Sequence, residues 1–258
     1  MDIELIGGKS GRRKVTFVSN QYVATARSDR NNDISSEVKP LPPLSGFLFK
    51  YDRLPWPRLL RIFLFLISDL KLRGKILTCL GTTVFIFLLA KLPKIVLASE
   101  QHHWLLIILW VLLIMEWLGI LAFIITTVKW IAPWHGAEHM AADAYNRLQS
   151  TALNDIARAS RINEKCGSRL VFPFFVGFAL AITSSYYLEI NYLLAFAAIA
   201  EIVLWVDKLK GWNNIPTTAQ LSYWLQKYIT TRQPGNQELL TAQKAIETLI
   251  AAHSVKAQ

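Results

Sequence analysis

The sequence predicts a mainly α, polytopic helical membrane protein. It should carry about four transmembrane helices, one interfacial helix, a small N-terminal β-hairpin and a C-terminal cytoplasmic helical segment. Three observations predict this. Hydrophobic residues make up 53% of the 258 and gather into long blocks, as membrane spans do. Of the 28 Lys and Arg, all but Lys91 and Lys94 fall within 1–75, 129–169 and 207–258, the segments between and around those blocks. Finally, the link Glu189-Ile190-Asn191 joins two apolar runs so tightly that they must form a helical hairpin.

Residues 1–53 form a polar, basic N-terminal segment. Residues 14–18 and 21–27 are β-prone, with Ser19-Asn20 between them, and read as a hairpin. Residues 29–36 are turn-like, and Lys39-Pro40-Leu41-Pro42-Pro43 begins a linker. Residues 54–75 contain the interfacial helix, over 57–73, because Arg58, Arg61, Asp69 and Lys71 leave an apolar core too short to span. The membrane domain, 76–206, holds spans near 76–98, 104–128, 170–188 and 192–206, with a cytoplasmic insert at 129–169. Two acids, Glu116 and Glu201, fall inside spans two and four, where an acid is costly without a partner or purpose. In the C-terminal segment, 207–258, amphipathic stretches at 221–229 and 238–252 are broken by Pro234-Gly235. Basic residues face the cytoplasm, so both termini and the 129–169 insert are expected there, in a multi-pass protein of the inner membrane.

The net charge of +10 therefore marks cytoplasmic faces rather than a nucleic-acid surface, and no nucleic acid is expected as partner. The expected partners are membrane lipids and a membrane protein; the oligomeric state is left open. Cys79 lies in an apolar run and Cys166 in a polar one, so no disulfide framework is implied. The N-terminus lacks the apolar core of a secretory signal. No internal repeat or phosphate-binding glycine loop is present.

Within the insert lies Trp134-His135-Gly136-Ala137-Glu138-His139. Helical residues four apart share a face, so His135 and His139 can reach one metal ion. The spacing H-x-x-E-H is that of the inverted zinc proteases, in which the glutamate serves as base. A helix from Trp134 to about Gln149, with Pro133 tolerated in its first turn, puts His135, His139 and Asp143 on one stripe, with Glu138 beside it. Zinc or another divalent metal is the implied cofactor. Its third ligand is open between Asp143, Cys166 and Glu201. The competing reading is that the histidines bond to Asp143 or lipid headgroups and bind no metal.

Residues 134–148 (WHGAEHMAADAYNRL) followed by 157–172 (ARASRINEKCGSRLVF) resemble the bacterial YqhQ family of membrane proteins, a family of uncharacterised function associated with metal-dependent activity. The resemblance extends to 21–34 (QYVATARSDRNNDI) and 225–246 (LQKYITTRQPGNQELLTAQKAI), covering nearly the whole chain. It implies a retained site of His135, Glu138, His139 and Cys166. The sequence departs from the family pattern twice. Asn163 stands where the family has a histidine, and the family's glycine-rich N-terminal motif is reduced to Gly7-Gly8-Lys9-Ser10-Gly11-Arg12, without its glutamate. Asparagine is a poor zinc ligand, so the balance between roles falls slightly toward a non-catalytic one. The alternatives are a metal-dependent membrane hydrolase, with His135 and His139 as ligands and Glu138 as base; an assembly or translocation partner; and a transporter using Glu116 and Glu201.

Overall fold

The computed structural model describes residues 5–41, 58, 128–188 and 191–255. Contacts divide the chain into one unit of 1–53, 126–172 and 210–258, and another of 54–125 and 173–209.

The first unit is built on an antiparallel meander of β1 (Leu5–Gly11), β2 (Lys14–Ser19), β3 (Tyr22–Ser28) and β4 (Ile34–Pro40), in that spatial order. The sheet is twice the size of the expected hairpin. Alternation sends Val15 and Phe17 of β2, and their cross-strand partners Ala26 and Ala24 of β3, to one buried face. On the opposite face the paired Thr16 and Thr25 share a buried 3.0 Å hydrogen bond between their hydroxyls. Asp29 closes the β3–β4 turn: one oxygen of its carboxylate accepts the backbone N–H groups of Asn31 (2.8 Å) and Asp33 (2.9 Å).

Two helices cover the Phe17 face. Helix α1 is described over 128–148, and a short α2 follows at Leu153–Arg158. Far along the chain come α5 (Pro216–Leu225), a single π-turn at Gln226–Thr230 and the long α6 (Asn236–Val255). Trp134, Ala137, Met140, Ala141, Ala144 and Tyr145 of α1 share one core with Leu239, Ala242, Ala245, Ile246 and Leu249 of α6. The alanines let the helices and sheet approach closely. At the far end of α6, His253 bonds Ser19 (Nε2 to Oγ, 2.8 Å) and meets Tyr22 edge-on. Helix α1 starts at or before 128, so Pro133 is not in its first turn, as the sequence suggests, but further in. The helix ends at Gln149, which adopts a left-handed conformation (φ 52°) while its N–H bonds the Tyr145 carbonyl.

The second unit contains α3 (Val171–Tyr187) from Pro173 onward and α4 (Tyr192–Leu209). Phe178 and Phe196 meet edge-to-face across the pair. These helices occupy the expected third and fourth spans, and here the polytopic fold class is overturned. At about 1.5 Å per residue, the 17 residues of α3 reach about 26 Å, short of the roughly 30 Å of hydrocarbon. The 18 residues of α4 include Glu201, Asp207 and Lys208. Among the described residues no helix is long and apolar enough to cross a membrane. They form a mixed α/β protein with a four-stranded antiparallel sheet, and the transmembrane assignment of these elements is withdrawn. Spans expected at 76–98 and 104–128 lie outside the described residues save Val128, as does the interfacial helix save Arg58. Cys79, Glu116 and the bulk of 42–127 lie outside them too.

Candidate metal centre

Helical periodicity gives α1 two working stripes. One is the core stripe above. The other carries His135, His139, Ala142 and Asn146, spaced three or four residues apart, with Glu138 beside His139, into a cavity of about 140 Å³. Leu5, Gly7 and Gly8 of β1, Phe17 of β2, and Asn163, Lys165, Cys166 and Gly167 complete its lining.

His135, His139 and Cys166 come together in this cavity, with their ligating atoms all within 4.8 Å of one another. The Cys166 sulfur stands 3.8 Å from His135 Nε2, near the roughly 3.6 Å edge between a nitrogen and a sulfur on one tetrahedral zinc. The rings of His135 and His139 are 4.3 Å apart between centroids. Each ring is aimed by its other nitrogen. His135 Nδ1 lies 2.9 Å from the Thr230 carbonyl, and His139 Nδ1 lies 2.7 Å from the Arg161 carbonyl. A carbonyl only accepts, so each Nδ1 must carry the proton and donate it. In the neutral rings this leaves Nε2 with a lone pair for the site, the arrangement typical of ligating histidines.

Local sequence explains how those carbonyls arrive. The chain leaving the π-turn runs alongside α1, where the Arg232 N–H bonds the Ala132 carbonyl at 3.0 Å. Any β-carbon on Gly136 would collide with the Arg232 carbonyl oxygen, so this glycine lets Thr230 reach His135. The Cys166 loop is fixed from two sides. Asp143 accepts the Ser160 N–H (2.9 Å) and pairs with Arg147 (3.3 Å). Gln226 is fully buried and grips the backbone of Asn163 on both sides of its α-carbon, accepting its N–H (2.8 Å) and donating to its carbonyl (3.1 Å). The side chain of Asn163 accepts the Lys165 N–H at 2.9 Å. The position where the resemblance expects a histidine thus makes the turn that delivers Cys166.

Glu138 completes the site. It is 6% exposed, and its Oε2 is buried without a hydrogen-bond partner among the described residues. Burial pushes its pKa up and Cys166 adds to this, against the positive charge of His135 and His139. Burial alone would raise the Cys166 thiol, yet hydrogen bonds and positive charge from His135 and His139 bring it down to about 5. Burial alone would lower His135, but Cys166, Glu138 and the Thr230 carbonyl carry it to about 9. Without metal, thiolate and imidazolium therefore stabilise each other.

The residues singled out in the sequence divide in two. His135, Glu138, His139 and Cys166 converge. Asp143 supports the loop instead, and Glu201 lies in the other unit, where it accepts the Arg58 N–H at 3.0 Å. Sequence reasoning missed Gly8, Gly136, Gln226 and the Thr230 and Arg161 carbonyls. The glycine inside the histidine motif was the one available signal, since backbone carbonyls and a buried glutamine leave none.

The donor set fits a metal ion: two imidazole nitrogens and a thiolate suit zinc or a similar divalent metal, and three protein ligands leave a coordination position open. The fold and site together define a mixed α/β protein with a His₂Cys cluster that could hold a metal. The chain belongs to the DUF1385 family, described as a protein of unknown function, whose model matches residues 65–252. That span contains all four converging side chains but not β1. No curated protein and no solved structure matches the chain.

Proposed function

We propose that this protein is a metal-dependent hydrolase, a divergent YqhQ-like member of its family. The observation that carries this reading is the pairing of a His₂Cys cluster, its histidines oriented by backbone carbonyls, with a buried acid whose Oε2 has no hydrogen-bond partner among the described residues. His135, His139 and Cys166 would hold the ion. A bound divalent metal supplies Lewis-acid polarisation of a carbonyl and a water made acidic enough to attack near neutral pH. Glu138 takes the proton from that water and returns it to the leaving group; its raised pKa suits a group that must both accept and give. Asn146 and Lys165 supply donors to hold the substrate. The eroded third-ligand position no longer argues against catalysis, because Cys166 fills that place in the cluster and Asn163 does not need to.

The test is hydrolysis of 4-nitrophenyl acetate by purified, zinc-supplemented protein. Activity should vanish with a chelator, return with metal, and fall by about 10²- to 10⁴-fold in Glu138→Gln. Turnover indifferent to both chelator and Glu138→Gln would refute the reading.

A further inference from the structure

A cavity of about 140 Å³ is smaller than the roughly 300–1,000 Å³ that encloses a drug-sized ligand. It admits one small group of a substrate and leaves the remainder outside. The cavity is bordered by β1, which has a strand neighbour on one side only among the described residues. Alternate residues of an antiparallel edge strand turn both N–H and C=O away from their partner strand. Of the adjacent Gly7 and Gly8, which both line the cavity, one therefore offers a donor and an acceptor outward. Pairing with β2 is irregular between Leu5 and Gly7, and such bulges occur where an edge strand is re-aimed beside an active site. Among the described residues, nothing lies within 4 Å of where a β-carbon on Gly7 would stand. Packing therefore does not account for that glycine, whereas a second backbone drawn close to β1 would.

We propose that the substrate is an extended peptide that lies along β1 as an added strand, with the carbonyl to be cleaved entering the cavity beside Glu138. The inference rests on the hydrolase reading and supplies its substrate class. Backbone hydrogen bonds to β1 give affinity without demanding a particular sequence. Asn146 and Lys165 line the cavity too and can donate to the peptide's carbonyls. In the reaction, water adds its oxygen to the carbonyl carbon, the C–N bond breaks, and Glu138 carries the proton from water to the departing amine. The products are a carboxylic acid and an amine, with no oxidant or reductant required.

The experiment incubates zinc-loaded, full-length protein with a proteome-derived peptide library and reads new termini by mass spectrometry. Glu138→Gln serves as the blank, and 4-nitrophenyl acetate is assayed in parallel. Peptide cleavage that disappears in Glu138→Gln is expected. N-methylation of alternate amides flanking the cleaved bond should lower kcat/KM by about tenfold or more, the worth of about one hydrogen bond. Ester hydrolysis with no peptide cut, or N-methylated peptides cut as fast as their parents, overturns the peptide inference and leaves the hydrolase standing. Bound metal with neither probe hydrolysed overturns both.

Discussion

Replacing Gly8 by alanine tests the site at its least obvious wall. A β-carbon built there meets the Oε1 of Glu138, and lies 2.7 Å from its Cδ and 3.0 Å from its Cγ. Ordinary van der Waals contact of a β-carbon begins near 3.4 Å, so the carboxylate must retreat by about 0.5–1 Å. An exposed glutamate would swing aside at little cost. Glu138 is 6% exposed, on a helix whose adjacent residues Ala137 and His139 are buried, so the displacement is resisted. Overpacking of this kind costs about 1–3 kcal/mol. Displacing a proton-transfer group by about 1 Å costs about 10²-fold in rate. Gly7→Ala is the internal control, because its β-carbon meets nothing within 4 Å among the described residues. Urea denaturation, metal analysis and the pH–rate profile of ester hydrolysis should be measured for both variants. Gly8→Ala should bind a full equivalent of metal, lose about 1–3 kcal/mol and show a depressed, shifted pH profile. Gly7→Ala should match the wild type in stability and metal content. Equal behaviour of the two variants would refute the placement of Glu138 against β1.

Other consequences follow from the same contacts. Gln226→Leu removes the side chain that accepts the Asn163 N–H and donates to its carbonyl; the carbonyl keeps the Cys166 N–H, so the variant should lose about 1 kcal/mol in urea denaturation for the orphaned N–H and weaken metal affinity by loosening the Cys166 loop. In metal-free protein carrying Cys79→Ser, the ultraviolet thiolate absorbance should titrate near pH 5, because the deprotonated thiol is the form His135 stabilises. Adding His135→Ala should move that midpoint up toward the ordinary thiol range of about 8.5. Chelation should lower the melting temperature of the wild type, since an ion held at a thousand times its Kd adds about 4 kcal/mol to the folded state. It should leave His135→Ala/His139→Ala unmoved.

The helical part of the candidate cluster was legible in the sequence because it rests on a helical period. Four residues separate His135 from His139, and the three-residue step to Glu138 keeps the acid beside them whatever surrounds the helix. The β2–β3 hairpin was legible from composition: Val15, Thr16, Phe17 and Val18, then Tyr22, Val23 and Thr25, are β-branched or aromatic, with Ser19-Asn20 between the two runs. The outer strands were not. Residues 5–11 contain Gly7, Gly8 and Gly11, and residues 34–40 carry Ser35, Ser36, Glu37 and Lys39, so neither has intrinsic strand preference, and pairing with β2 and β3 decides their structure. The apolar blocks misled for a different reason. Composition registers Val171–Tyr187 and Tyr192–Leu209 as hydrophobic runs, but a span also requires length and freedom from charge, and these helices fall short on one or both. Asp143 shows the limit of the stripe argument. It has the spacing of a ligand, yet the amide of Ser160 and the guanidinium of Arg147 claim its carboxylate first.

The most direct test of the central claim is the metal content of purified full-length protein, measured by mass spectrometry for the wild type, His135→Ala/His139→Ala and Cys166→Ser. The account expects about one equivalent of zinc or another divalent metal in the wild type, lost in the double variant and strongly reduced in Cys166→Ser. A folded wild type that takes up no metal, or one whose metal survives loss of both histidines, would contradict it.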